Sequence, residues 1–234
     1  AFLFYSLGTM IYFDNVTKLY SDHAALAEVT FGIDPGEFVS IVGHSGAGKT
    51  TLLRLLLAED HPTSGAVFFE STNVHRIKSS SVPEYRRRIG TVFQDFRLLP
   101  NKTAYENIAF AMEAAGRPDE EIRADVPQVL ELVDLSSKAL HFPGELSGGE
   151  KQRVAIARAI VSQPDVLIAD EPTGNLDPVN TYDIIQILKK INDMGTTVIL
   201  TTHNKGVIDA LKKRVVTMEN GKVIRDDIHG KYIL

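Results

Sequence analysis

A glycine-rich segment, Gly43-His44-Ser45-Gly46-Ala47-Gly48-Lys49-Thr50, lies between an apolar run and a helical pattern. It matches G-x-x-x-x-G-K-[ST], in which backbone N–H groups converge on phosphate oxygens and the following helix adds its positive end. Lys49 should reach the β- and γ-phosphates, and the Thr50 hydroxyl, beside Thr51, should ligate Mg²⁺. The alternative is a glycine turn that only links a strand to a helix. Since both flanking elements are present, the sequence predicts a loop that binds nucleotide phosphates.

Strand-like and helix-like patterns alternate along the rest of the chain. Several strands are continuously apolar, which is typical of buried parallel strands. Strands are predicted at 11–13, 27–33, 38–42, 66–69, 90–93, 166–169 and 197–200, and helices at 50–57, 103–133, 148–162 and 178–194. This order predicts an α/β fold whose core is interrupted by a helical insertion at about 95–164.

Two adjacent carboxylates, Asp170 and Glu171, follow the apolar strand 166–169. Residues at this position are delivered to the carboxyl edge of the sheet, where α/β proteins bind ligands. Asp170 is suited to holding Mg²⁺, usually through water, and Glu171 is suited to polarising an attacking water. An acidic pair after a strand can also be a solvated turn. Combined with a phosphate loop, the pair indicates phosphoryl-transfer chemistry.

The segment Leu146-Ser147-Gly148-Gly149-Glu150 precedes a predicted helix. Ser147 and Glu150 have the spacing of a capping box. Two adjacent glycines are unfavourable in a first helical turn, so they indicate that another group approaches the backbone closely. A phosphate is the natural candidate at a helix N-terminus. The chain would then carry two anion-binding helix ends, which could share one nucleotide if two chains pair head to tail.

Composition excludes several other kinds of function. The chain has no cysteine, which excludes disulfides, thiol catalysis and thiolate metal sites. Its formal net charge of −5 argues against general nucleic-acid binding, for which a basic surface is expected. No apolar run approaches the roughly 20 residues that cross a bilayer. A role at a membrane would therefore require a partner.

The pentapeptide Leu146–Glu150 resembles the signature of the ABC ATPase family, and its place between the phosphate loop and the acidic strand is the family's order. Tyr20 occupies the place of the aromatic that stacks on adenine; packing against the core alone is the alternative. Gln94 matches the Q-loop glutamine, which senses Mg²⁺ and the attacking water. Asn175-Leu176-Asp177 resembles the D-loop, with Asp177 crossing the dimer interface. His203 matches the switch histidine that contacts the γ-phosphate.

The resemblance implies an ATPase that closes as a head-to-tail homodimer around two ATP molecules, each with Mg²⁺. Catalysis is expected of Lys49, Gln94, Glu171 and His203, and the metal is expected at Thr50, Gln94 and Asp170. Nucleotide contacts are expected of Tyr20, Gly43, His44, Ser45, Gly46, Ala47, Gly48, Lys49, Thr50, Thr51, Ser147, Gly148, Gly149 and Asp177.

The resemblance also implies how the chain is divided. Residues 1–9 are expected to be a tag or upstream remnant, and 10–234 a single ABC ATPase domain of P-loop type. Its RecA-like core would comprise 10–94 and 165–234, with an antiparallel β subdomain at the N-terminal end. The helical subdomain would cover about 95–164.

Ala169–Asp177 resembles the group that contains FtsE, MacB and LolD, whose members act with membrane proteins on envelope processes. The stretches Phe93–Pro100, Ser45–Gly48 and Val82–Gly90 are most similar to FtsE, the cell-division ATPase that pairs with the membrane protein FtsX. This resemblance implies an FtsX-type partner and control of peptidoglycan hydrolases outside the cell. It also implies a cytoplasmic location, at the inner face of the plasma membrane through that partner.

Three alternatives remain at this point. An exporter or lipoprotein-release ATPase of the MacB or LolD type would share the chemistry and differ in its membrane partner. A soluble ABC protein acting on nucleic acid or ribosomes usually fuses two ATPase units, so no nucleic acid is expected here. A regulator that binds nucleotide without hydrolysis is disfavoured because Glu171 and His203 are both present.

Overall fold

Two β-sheets form the framework of the computed structural model, which describes residues 8–228 and 230. The strands are β1 (Ile11–Tyr20), β2 (His23–Ile33), β3 (Phe38–Val42), β4 (Ser64–Phe69), β5 (Thr72–Asn73), β6 (Ile89–Phe93), β7 (Val166–Asp170), β8 (Thr197–Thr201), β9 (Arg214–Glu219) and β10 (Lys222–Asp227). The α-helices are α1 (Lys49–Leu56), α2 (Val82–Arg87), α3 (Ala104–Ala114), α4 (Asp119–Leu132), α5 (Gly148–Ile160), α6 (Pro178–Asp193) and α7 (Lys205–Leu211).

The larger sheet has the strand order β10-β9-β3-β8-β7-β6. Its pairs are parallel except for β10, which runs antiparallel to β9. Every residue of β3 and β8 is buried, which explains their largely apolar sequences. The loops after β3, β6, β7 and β8 leave from the same carboxyl edge, so the topology gathers their residues there.

The smaller sheet is antiparallel, with the order β2-β1-β4-β5. Phe13 of β1 stacks on Phe31 of β2 with ring centroids 4.9 Å apart. One core cluster joins this sheet to α1 and to one face of the larger sheet, and includes Ile11, Leu52 and Ile168. The predicted α/β fold with an N-terminal antiparallel β subdomain is therefore confirmed.

The helical insertion consists of α3, α4 and α5 packed together, with buried side chains such as Ile108, Val126 and Val154. The pattern at 103–133 predicted one helical stretch, whereas the structure has two helices. The break follows Ala115, the C-cap of α3, because Gly116 has a φ of 75° in the left-handed region that ends helices, and Pro118 then forms the N-cap of α4. Thr103 begins α3 with a capping box that includes Glu106.

Several elements differ from the sequence prediction. Strand β1 extends to Tyr20, although only 11–13 was predicted. The prediction stopped short because a register shift beside Asn15, which has a φ of 48°, interrupts the alternation of buried and exposed residues. Helices α2 and α7 and strands β9 and β10 were not predicted. Strand β9 is identified by its parallel pairing with β3, a partner far away in sequence.

The described part of the chain contains no helix long and apolar enough to cross a membrane. The expected remnant 1–9 lies mostly outside the described residues, which begin at Gly8. Met10 is part of the fold, since its N–H donates to the Ile33 carbonyl and its carbonyl accepts from the N–H of Glu70. The predicted domain boundaries stay a prediction.

Candidate nucleotide site

The glycine-rich loop connects β3 directly to α1. Gly48, the N-cap of α1, has a φ of 104°, in the left-handed region that favours glycine. A Cβ at Gly48 would lie 2.6 Å from the carbonyl oxygen of Ala25 in β2. Glycine is therefore required at this position both by the backbone angle and by the close approach of the small sheet. The loop is held in a conformation that turns its backbone toward the carboxyl edge of the large sheet.

Lys49 is the first residue of α1, and its side chain folds back over the loop. Its Nζ donates to the carbonyls of Gly43, at 2.6 Å, and His44, at 3.2 Å. Lys49 is 9% exposed, so its ammonium group lies among loop oxygens rather than in open water. The next residue, Thr50, is exposed and presents its hydroxyl to the same cleft. The predicted phosphate and metal ligands of the loop thus lie side by side.

Both predicted carboxylates lie at the carboxyl end of β7, beside Thr201 at the end of β8. Oδ1 of Asp170 accepts a hydrogen bond of 2.5 Å from the Thr201 hydroxyl. Glu171 has a φ of 49°, and its N–H donates to both the carbonyl and the hydroxyl of Thr201. A positive φ in a residue with a Cβ is costly and is typical of functional sites. Nδ1 of His203 lies 2.9 Å from Oε2 of Glu171, so the predicted base and the predicted switch histidine are in contact.

Gln94 follows β6 and is exposed beside the segment after β7. Its Nε2 donates to Oδ1 of Asn175 at 3.2 Å. A Cβ at Gly174 would lie 2.7 Å from the Gln94 amide nitrogen, so glycine leaves the room that this side chain occupies. The predicted Q-loop and D-loop segments are therefore joined within one chain.

Tyr20, at the end of β1, is 41% exposed and lines the cleft. Its hydroxyl donates to Asp60 at 2.6 Å, and Lys18 Nζ lies 4.9 Å from its ring centroid. Hydrogen bonds from Lys18 and Tyr20 lower the pKa of Asp60 to about 2. The ring is thus an exposed aromatic surface fixed at its polar end, as a base-stacking residue requires.

One cleft of about 760 Å³ brings most of the predicted residues together, a size typical of small-molecule sites. His23 and Ala25 of β2 were missed by the sequence analysis. Their only sequence signal is proximity to Tyr20, whose strand partner is His23. The lining consists of Tyr20, His23, Ala25, His44, Ser45, Gly46, Ala47, Gly48, Lys49, Thr50, Thr51, Gln94, Asp170, Glu171 and His203.

The donors in this cleft fit Mg²⁺. Thr50 offers a hydroxyl, Asp170 a carboxylate and Gln94 an amide oxygen, all hard ligands of the kind that this ion prefers. Within residues 8–228, no group of three His, Cys, Asp or Glu side chains could hold a metal. This sparse set suits Mg²⁺, which is commonly bound by one or two carboxylates together with substrate phosphates and waters.

Among the described residues, five predicted nucleotide contacts are not part of the cleft lining: Gly43, which is buried, and Ser147, Gly148, Gly149 and Asp177. Ser147 and Glu150 form the predicted capping box of α5, and the Ser147 N–H lowers the pKa of Glu150. Asp177 caps α6, and hydrogen bonds from Asn180 lower the pKa of its carboxyl. The second predicted anion-binding helix end is therefore separate from the first in one chain.

Of the two adjacent glycines at the start of α5, Gly149 packs closely against another helix of the same chain. A Cβ at Gly149 would overlap the side chain of Asn180 on α6. A Cβ at Gly148 would lie 3.4 Å from a Leu176 methyl group, an ordinary contact distance. The glycine requirement at 149 thus has a packing cause that the sequence did not reveal.

Comparison with known proteins agrees with this geometry. The family model described as ABC transporter matches residues 26–174, which include the loop, Gln94 and both carboxylates. The chain is 51% identical over 225 residues to the cell division ATP-binding protein FtsE of Mycobacterium tuberculosis, covering 95% of this chain and 98% of that protein. It is 48% identical over 224 residues to FtsE of Bacillus subtilis, with the same coverage of each chain.

Solved structures of similar fold include the ATP-binding cassette MJ0796 as a dimer in a post-hydrolysis state bound to ADP and Pi. That chain has a TM-score of 0.84 and 36% identity, with 95% of this chain and all of that one covered. CbiO1 of Clostridium perfringens, part of the transporter complex cbiONQ, has a TM-score of 0.87 and 30% identity over 94% of this chain and 89% of its own. On sequence, fold and site together, the chain belongs to the ABC transporter family of ATPases, within its FtsE group.

Proposed function

We propose that this ABC ATPase hydrolyses Mg-ATP as a head-to-tail homodimer. The observation that supports the proposal is that the two helix N-termini predicted to bind phosphate lie apart within one chain. The N-terminus of α1 lines the cleft with Lys49 and Glu171, whereas Ser147–Gly149 at the start of α5 lies outside it. A second copy in head-to-tail orientation would supply its α5 N-terminus to this cleft. Asp177, at the cap of α6, would then lie at the interface.

The predicted catalytic and ligand-binding residues of the cleft would then have distinct roles. The loop N–H groups and Lys49 would bind the β- and γ-phosphates. Thr50, Gln94 and Asp170 would hold Mg²⁺, which when bound neutralises phosphate charge. Glu171 would orient and deprotonate the attacking water, and His203, 2.9 Å from Glu171, would contact the γ-phosphate. In phosphoryl transfer the protein contributes mainly positioning and charge stabilisation, so this set suffices. Tyr20 would stack on the adenine.

We further propose that the homodimer works with a membrane protein of FtsX type in cell division. Its ATP cycle would control peptidoglycan hydrolases through that partner, at the cytoplasmic face of the plasma membrane. Support comes from curated FtsE proteins of four genera, at 44–51% identity and 91–95% coverage of this chain.

The test is a pull-down of the tagged protein from detergent-solubilised native membranes in Mg-ATP, with mass spectrometry of what is recovered. The Lys49→Ala variant serves as a control for nucleotide dependence. Recovery of an FtsX-like protein is the expected result. Recovery of a MacB- or LolD-type permease, or of RNA, in place of it would overturn the proposed partner and leave the ATPase chemistry intact.

A further inference from the structure

The guanidinium group of Arg158, in the last turns of α5, contacts the segment that follows Gln94. Its Nη1 donates to the Arg97 carbonyl at 2.7 Å, and its Nη2 donates to the Phe96 carbonyl at 3.0 Å. The side chain is half-buried, and this burial lowers the pKa of Arg158. Both partners are neutral carbonyls rather than a carboxylate. Partial desolvation of a cation without a carboxylate partner is costly, which points to a role beyond stability.

The two carbonyls belong to a strained turn. Phe96 and Arg97 have φ angles of 59° and 48°, so two consecutive residues with Cβ atoms occupy the left-handed region. Such a conformation persists only where the surroundings hold it. The guanidinium group of Arg158 donates its two hydrogen bonds to the carbonyls of these same two residues. Its planar geometry suits two acceptors at once, which a lysine could not reproduce.

A second contact from the same helix holds the other side of Gln94. Gln152 is fully buried, and its Nε2 lies 3.4 Å from the Phe93 carbonyl at the end of β6. Helix α5 therefore contacts the chain immediately before Gln94, through Gln152, and shortly after it, through Arg158. The backbone position of Gln94 is tied to this helix on both sides.

Helix α5 begins at Gly148, in the segment proposed to meet the nucleotide of the second copy. Ten residues separate Gly148 from Arg158, so about 15 Å of rigid helix connects the two ends. We propose that Arg158 is a positioning residue that couples the α5 N-terminus to Gln94 in the cleft of its own chain. The inference rests on the proposed roles of Gln94 and of Ser147–Gly149. It predicts that movement of α5 on dimer closure sets the position of Gln94.

The first test compares Arg158→Gln with the unmodified protein by amide hydrogen exchange and steady-state ATP hydrolysis. Exchange at 95–98 should rise while exchange in α1 is unchanged. Turnover, kcat, should fall about 10- to 100-fold, the scale of a misplaced catalytic group, with little change in KM for ATP. Arg158→Lys should recover part of kcat. Arg123→Gln, at an exposed position on α4, is the matched control and should leave both readouts unchanged.

A double-mutant cycle distinguishes coupling from simple loss of stability. Arg97→Gly keeps the carbonyl but removes the strain of a positive φ, so Arg158→Gln should cost less kcat in that background. Additive effects in the cycle would overturn the proposal, as would unchanged exchange at 95–98 in Arg158→Gln. If Arg158→Gln does not fold, Arg158→Lys is used in the same cycle. Gln94→Ala distinguishes failure of the proposed function from failure of this inference. A normal kcat in that variant would refute the role of Gln94, while hydrogen exchange at 95–98 still tests the contact of Arg158 with the backbone.

Discussion

Nδ1 of His203 lies 2.9 Å from Oε2 of Glu171. The Glu171 side chain is 20% exposed and the His203 side chain 69% exposed, so the histidine is the more solvent-accessible member of the pair. The Glu171 backbone is fixed independently by Thr201. The contact means that the two groups proposed to act at the γ-phosphate are already joined at the ends of neighbouring strands.

Glu171→Gln should abolish hydrolysis while leaving ATP binding intact. The amide keeps the size and the contact with His203 but cannot take a proton from water, and general-base catalysis contributes about 10²- to 10⁴-fold. The variant should accumulate as an ATP-bound dimer, measured by light scattering with and without Mg-ATP. Glu131→Gln, at an exposed position on α4, is the control. Hydrolysis by Glu171→Gln at the normal rate would disprove the assignment of the base.

Lys49→Ala should weaken ATP binding itself. The ammonium group is held above the loop by the Gly43 and His44 carbonyls, in position to bind phosphate. Loss of a charge-assisted hydrogen bond costs about 1.5–3 kcal/mol, which corresponds to an affinity loss of about 10- to 150-fold. Titration calorimetry with ATP gives the affinity, and circular dichroism checks the fold. An unchanged affinity in the folded variant would contradict the proposed phosphate contact.

Gly149→Ala should prevent ATP-driven dimerisation, because the added Cβ overlaps the Asn180 side chain and displaces the α5 N-terminus. The double variant with Asn180→Ala separates two causes. If packing alone requires glycine, the second substitution should restore dimerisation, measured by light scattering. If a phosphate of the second copy must also approach this backbone, the double variant stays monomeric. Asn180→Ala alone reports the cost of losing its contact with Asp177.

Asp60→Asn should lower stability at neutral pH by about 1 kcal/mol, the upper range for exposed ion pairs. Hydrogen bonds from Lys18 and Tyr20 hold the pKa of Asp60 at about 2, below the ordinary value of an aspartate. Because the folded pKa is the lower one, this contribution is complete above the unfolded pKa and is lost as pH falls through about 2. Urea unfolding from pH 6 down to pH 2 should therefore show the difference between the two proteins narrowing. A difference independent of pH would contradict the ion-pair explanation.

Much of the site follows from the chain alone because its parts are local motifs. The glycine loop, the carboxylates after an apolar strand and the cap at Ser147 are each set by residues within about ten positions. Strands β3 and β8 were predicted nearly to their ends because they are short and largely apolar, and helix α6 because its apolar residues recur with helical spacing after Pro178. The order of these motifs also sufficed to predict the ATPase family.

Tertiary structure decided what depends on neighbours distant in sequence. The Glu171–His203 contact, the overlap of Gly149 with Asn180, and the fork of Arg158 on the turn after Gln94 each join separate elements. Strand β9 likewise became a strand through pairing with β3. Local sequence preferences for helix or strand do not specify such contacts, because hydrogen bonds and side-chain packing between elements form only after folding has brought those elements together.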